Sequence, residues 1–165
     1  MIGNVLGNML LHLPKIFFPM ESLTKTNLRY SKRKLSRVIP LINKICSDFP
    51  EAIISIDTTK AVVAEKAIIS GARIINDISG LTNDSEMVRV ASKYGVPVVI
   101  MHMQGKPDNM QENPIYDDLI DDIKSFFIER IKYANRFGIK TPQIILDPGI
   151  GFGKTFQDNF RLINQ

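Results

Sequence analysis

The sequence predicts an α/β fold: about four parallel strands in one sheet, covered by helices. Two observations predict it. Short apolar runs rich in β-branched residues alternate with segments of helical spacing, and these runs are apolar throughout rather than at every second position. Continuous apolar runs belong to strands buried on both faces, and the alternation supplies the crossover helices that a parallel sheet needs. A third observation bears on function. Asp57, Asn76, His102 and Asp147 each directly follow an apolar run. In a parallel sheet those carboxyl ends lie together, where barrels and open α/β sheets bind ligands.

The elements follow in order. Leu35, Val38, Ile39, Ile42 and Ile45 recur at helical spacing and predict a helix that Pro40 should kink. Lys32, Arg33 and Lys34 then stand at its start, the wrong charge for the positive end of a helix dipole. Residues 52–56 predict the first strand, ending at Asp57. Residues 61–70 predict a helix that Gly71 stops. Residues 73–75 predict the second strand, ending at Asn76-Asp77. Asp84 is placed to cap a helix that runs to Tyr94 and stops at Gly95. Residues 97–101 predict the third strand, ending at His102. Leu119, Ile120, Ile123, Phe126, Phe127, Ala134 and Phe137 mark a long amphipathic helix, stopped by Gly138. Residues 143–146 predict the fourth strand, ending at Asp147, and residues 156–164 open a further helix.

Composition narrows the function classes. The 165 residues are 44% apolar and 23% charged, enough for one packed domain. No apolar run approaches 18 residues, so no membrane span is expected. One cysteine, Cys46, and two histidines, His12 and His102, leave no disulfide framework and no Cys- or His-rich metal site. That cysteine usage, with no basic region ahead of the apolar residues 9–13, predicts a cytoplasmic protein without a signal peptide. Pro14 and Pro19 break any helix in residues 1–34, an atypical segment set apart from the orderly residues 35–165. The net charge of +4 gathers only at Lys32-Arg33-Lys34 with Arg37. With no interleaved aromatics and no nucleic-acid module around it, a solvated helix end is the simpler account.

The most specific stretch is Asp147-Pro148-Gly149-Ile150-Gly151-Phe152-Gly153-Lys154-Thr155. Gly153-Lys154-Thr155 matches the end of a phosphate-binding P-loop, but the first glycine of that motif would fall at Pro148. A dinucleotide fingerprint fails too, because Gly149, Gly151 and Gly153 are spaced by twos. Each polar position also has a structural alternative. Asp57 suits a helix cap, Asn76 an Asx turn with Asp77 as its solvated neighbour, and His102 a satisfied rim histidine. Met101 and Phe152 suit plain core, and Lys154 suits either a phosphate contact or a salt bridge to a neighbouring loop.

Four blocks, taken in order, closely resemble dihydropteroate synthase, a folate-pathway family. They are Ile54-Ser55-Ile56-Asp57-Thr58, Ile74-Ile75-Asn76-Asp77-Ile78, Met101-His102-Met103-Gln104-Gly105-Lys106-Pro107 and residues 147–155. The resemblance begins near Leu35 and runs to the C-terminus. It implies a (β/α)8 TIM-type barrel that joins 6-hydroxymethyl-7,8-dihydropterin pyrophosphate to p-aminobenzoate and releases pyrophosphate. It implies that Asp57, Asn76, Ile78, Met101, Asp147 and Phe152 form the pterin pocket, with Asp57 stabilising the charge that develops as pyrophosphate leaves. It adds Gly151 and Lys154 as loop contacts. It also implies Mg2+, small-molecule partners only and a homodimer.

The family's Asn-bearing first strand, which helps to hold magnesium, has no match in residues 1–34. Glu21-Ser22-Leu23-Thr24 is at best a faint echo of its Thr-Arg-Pro-Gly-like loop, and family members usually carry acids where Lys32-Arg33-Lys34 stands. The later Ser-Arg-Lys and Arg-x-His motifs have no counterpart before Gln165. The expectation is therefore a partial barrel, incomplete at both ends and impaired in catalysis as it stands. A non-catalytic pterin-binding half-barrel and a pterin-binding methyltransferase-type domain remain as alternatives.

Overall fold

The structure is a computed structural model and describes residues 27–164. The features noted in the preceding segment, including His12, Pro14, Pro19 and Glu21-Ser22-Leu23-Thr24, lie outside the described residues. The chain runs α1 (Asn27–Asp48), β1 (Ser55–Asp57), α2 (Ala61–Ile69), β2 (Ile74–Asp77), α3 (Met87–Tyr94), β3 (Val98–Met101), α4 (Leu119–Arg136), a 3-10 turn (Thr141–Gln143), β4 (Ile144–Asp147) and α5 (Phe156–Ile163). The four strands pair in sequence order, β1-β2-β3-β4, and every pair is parallel. The alternating pattern thus produces the sheet it predicts.

One face of that sheet carries the core. Ile56, Ile75, Val98, Ile100 and Ile144 from the strands meet Ile42 and Ile45 of α1, Ala64 and Ala67 of α2, Val88 and Ala91 of α3 and Ala134 of α4. Alanines on α2 keep its buried side thin, which lets it lie close to the sheet. The α3 helix ends at Gly95, whose φ of +63° is the left-handed conformation that closes a helix without a Cβ penalty. At the far edge, Leu146, Phe156, Phe160 and Ile163 are exposed.

The structure moves several expected boundaries, each for a physical reason. The β1 strand starts at Ser55 rather than at residue 52, while β1, β2 and β4 end as expected at their polar residues, where backbone pairing continues. Thr58 N–H donates to the Asn76 carbonyl and His102 N–H to the Asp147 carbonyl, so pairing continues past the acids. The first helix starts at Asn27, well before Leu35, which places Lys32, Arg33 and Lys34 inside it rather than at its positive end. Those three charges are therefore moved beyond the first turn, although that turn carries Arg29 and no acid. Pro40 lies within α1, and the helix continues to Asp48.

Asp84 does not cap its own helix alone. Its Oδ1 accepts from Glu86 N–H at 3.1 Å, while its Oδ2 accepts from Ala61 N–H at 2.9 Å and so caps α2 from a neighbouring loop. The Asx turn belongs to Asp77, not Asn76. Asp77 is fully buried rather than solvated, and accepts from Ser79 N–H at 2.9 Å, Ser79 Oγ at 2.6 Å and Leu81 N–H at 3.2 Å.

Ile75 is fully buried at the centre of the sheet, whereas Ile128 on α4 is 54% exposed. Ile75→Ala should lower the unfolding free energy by about 2–5 kcal/mol, through lost transfer energy and a residual cavity. Ile128→Ala should change it by less than about 0.5 kcal/mol. Urea denaturation of both variants checks the difference.

Candidate functional site

Strand register assembles the site. Asp57 is paired with Asn76, Asn76 with Val99, and Met101 with Asp147. Side chains alternate faces along a strand, so Asp57, Asn76, Met101 and Asp147 share the face opposite the helix-packed core. Ser55, Ile74, Val99 and Ile145 precede them on that face. Together with Asn76 and Asp147 they line a hollow of about 1040 Å³.

Asp57 is buried, and its Oδ1 has no hydrogen-bond partner. It is not a helix cap, since Asp84 occupies that role at α2. Burial pushes its carboxyl up to about 6. The Lys34 ammonium opposes this, the Asp77 charge adds to it, and the neighbouring Asn76 amide opposes it. Lys34 reaches Asp57 from α1, where its Nζ donates to the Asp57 backbone carbonyl at 3.3 Å. The basic cluster therefore contributes one member to the site and is not merely a solvated helix end. Sequence spacing carried that signal: Lys34 stands four residues before Val38 and eight before Ile42, on the buried stripe of α1.

The loop after β4 is folded around a buried cation. Asp147 Oδ1 accepts from Gly149 N–H at 2.8 Å. Gly149 has φ +70°, and any Cβ there would overlap the His102 carbonyl, so both conformation and space require glycine. Lys154 is 3% exposed, and its ammonium donates to the carbonyls of Phe152 at 2.9 Å, Gly149 at 3.1 Å and His102 at 3.3 Å. It also lies 3.1 Å from His102 Nδ1, where an unprotonated ring nitrogen accepts. Among the described residues it forms no loop salt bridge, and ties the loop to the end of β3 through carbonyls.

Burial holds the Lys154 ammonium down to about 8, against the charges of Asp147 and Asp158. Burial and the Lys154 charge push His102 down to about 4. His102 also packs edge-on against Phe126, ring centroids 5.0 Å apart. This is a satisfied rim histidine.

The remaining expected residues are more dispersed. Ile78 is buried and lines a second hollow of about 550 Å³, with Thr59, Ser79, Asn83, Lys106 and Phe126. Phe152 is half-buried in the loop after β4, and Gly151 is exposed, its N–H donating to Asn159 Oδ1 at 2.8 Å. Among the described residues no group of three or more His, Cys, Asp or Glu side chains is arranged to hold a metal ion.

Fold and site together define a parallel α/β protein with two acids and an amide gathered at its strand ends, where such proteins bind small molecules. The family model described as "Pterin binding enzyme" matches residues 21–165. The chain belongs to that family. The match begins upstream of Leu35. A dihydropteroate synthase of Synechocystis sp. is 42% identical over 134 residues, covering 81% of this chain and 46% of that protein. The Clostridium beijerinckii synthase is 45% identical over 133 residues, with the same coverage.

Among solved structures, a Yersinia pestis dihydropteroate synthase with a sulfonamide drug complex superposes with a TM-score of 0.77 at 41% identity. It covers 81% of this chain and 48% of that one. A Xanthomonas albilineans synthase in complex with 7,8-dihydropteroate gives a TM-score of 0.73 at 34% identity, with coverages of 81% and 49%. The chain spans about half the length of the curated relatives it matches. Its four strands and their helices are a partial (β/α)8-type barrel.

The buried ammonium gives a measurable pH signature. In the folded chain Lys154 releases its proton near 8, whereas its ordinary value is 10.5. Between those values the unfolded chain binds more protons, so stability should rise with pH. Lys154→Met should lower stability and make that rise shallower. Chemical denaturation at pH 7.5, 8.5 and 9.5 reads both effects.

Proposed function

We propose that the site binds the pterin of 6-hydroxymethyl-7,8-dihydropterin pyrophosphate. It thereby serves the condensation with p-aminobenzoate that yields 7,8-dihydropteroate and pyrophosphate. The observation that carries the reading is the convergence of Asp57, Asn76 and Asp147 on one sheet face, with Asp57 Oδ1 buried and unpartnered. A buried acceptor without a partner is costly, and a ligand N–H removes that cost. Family membership supports the same reading.

The pocket chemistry suits a pterin. Its amidine-like edge presents several N–H donors, and a carboxylate such as Asp147 accepts two. Asn76 offers both a donor and an acceptor to the mixed edge. Met101, Phe152 and Ile78 supply apolar walls. Gly151 and Lys154 act through the loop they shape. In the reaction the methylene C–O bond breaks and its electron pair leaves with pyrophosphate. The arylamine nitrogen forms the new C–N bond and sheds its proton to water. Positive charge develops on the pterin as pyrophosphate leaves, and the Asp57 carboxylate stabilises it most at that point. A second copy of the chain is the expected partner, to be read by sedimentation. The cytoplasm is the expected location. No described helix is long and apolar enough to cross a membrane.

Asp57→Asn and Asp147→Asn should each weaken binding of 6-hydroxymethylpterin roughly 10- to 150-fold, equivalent to losing about 1.5–3 kcal/mol of charge-assisted hydrogen bonding. Lys124→Ala, an exposed change on α4, should leave binding unaltered. Calorimetric titration decides: small, equal effects in all three variants would sink the reading. Pterin binding without pyrophosphate release would support the half-barrel alternative.

Wild-type affinity should also fall as pH drops through about 6, where Asp57 takes up a proton and Oδ1 loses acceptor strength. A flat affinity profile from pH 5 to 7 would remove Asp57 from the contact set.

A further inference from the structure

We propose that Lys34 is a positioning residue for Asp57: from α1 it holds the Asp57 carboxyl in its anionic form and so sets the pH range in which the site takes a ligand. The proposal rests on the ligand-binding reading of Asp57 above. Its geometry is independent of that reading.

Lys34 comes from the first half of α1 and reaches the last residue of β1, at the carboxyl end of the sheet. Its Nζ lies 3.3 Å from the Asp57 carbonyl oxygen. That anchor places a full positive charge against the residue whose Oδ1 is buried without a partner. Among the described residues, the charged groups acting on the buried Asp57 carboxyl are Lys34 from α1 and Asp77 from β2, with the Asn76 amide beside it. Asp77 is fully buried and its carboxylate is committed to the turn at Ser79 and Leu81. Asp77 therefore stays where it repels, and Lys34 is the group that offsets it.

Cost falls on Lys34 as well. Burial lowers its own proton affinity, while the Asp57 charge raises it. A half-buried lysine carrying that penalty is not a solvated surface charge. Arg33, its neighbour on α1, is exposed.

The test is the titration of the Asp57 carboxyl, followed by carbon-13 NMR in the full 165-residue chain. Lys34→Met keeps the apolar stem and removes the charge, and should raise the Asp57 midpoint by roughly one pH unit. Lys34→Gln, a second variant of different packing, should raise it similarly, and Lys34→Arg should restore it. A structural role alone would not produce that ordering. An unchanged midpoint in both neutral variants overturns the proposal. The acid limb of 6-hydroxymethylpterin binding should move with the midpoint. If the midpoint moves and pterin affinity does not follow it, Lys34 keeps its role and the pterin reading falls.

Discussion

The candidate site depends on the register of four short parallel strands. Asp57, Asn76, Met101 and Asp147 reach one face only because β1 to β4 are paired as they are. The side-chain period of a strand is two, so a slip of one residue would send a strand's polar group into the helix-packed core. The core prevents the slip. Ile56, Ile75, Ile100 and Ile144 occupy the alternate positions and are buried against the helices. The same hydrophobic pattern that drives folding thus fixes the chemistry, and neither can shift without the other.

Two acids on neighbouring strands show how the protein divides its polar groups between structure and site. Asp77 points into the core layer and satisfies three donors of its own turn. That turn holds Leu81 at φ +65°, a conformation a leucine rarely adopts without such constraint. Asp57 points the other way and keeps Oδ1 unpartnered. Among the described residues it is the buried side-chain atom left without a hydrogen bond. Pairing one acid fully and leaving the other open gives a rigid frame around a single unmet acceptor, the arrangement a ligand-binding site needs.

Much of this was legible in the sequence. Apolar runs of β-branched residues named all four strands, and of the residues ending them Asp57, Asn76 and Asp147, though not His102, lie on the site face. Resemblance then joined Asp57, Asn76 and Asp147 into one constellation. Legibility failed where the decisive contact is long-range. Asp84 reads as a local cap, yet one of its oxygens serves Ala61 across 23 residues. Lys154 looks like a free loop cation, yet its partners include a carbonyl 52 residues away at His102. Lys34 reads as part of a basic surface run until the helix is phased, when it falls on the buried stripe. Local propensity cannot carry such information, because the partners exist only once the sheet has formed.

Protonation acts on the stability of this frame through groups whose contributions oppose one another. His102 is held down to about 4 from an ordinary 6.5, so over that interval the unfolded chain binds more protons and stability rises with pH. Asp57 is held up at about 6 from an ordinary 3.8, so there the folded chain binds more protons and stability falls with pH. The two intervals overlap from about 4 to 6, and their slopes oppose. These two contributions partly cancel across the range in which Asp57 changes charge, while Asp77, whose carboxyl burial also pushes up, adds to the fall. On the proposed reading, the charge change at Asp57 is felt in what the site binds.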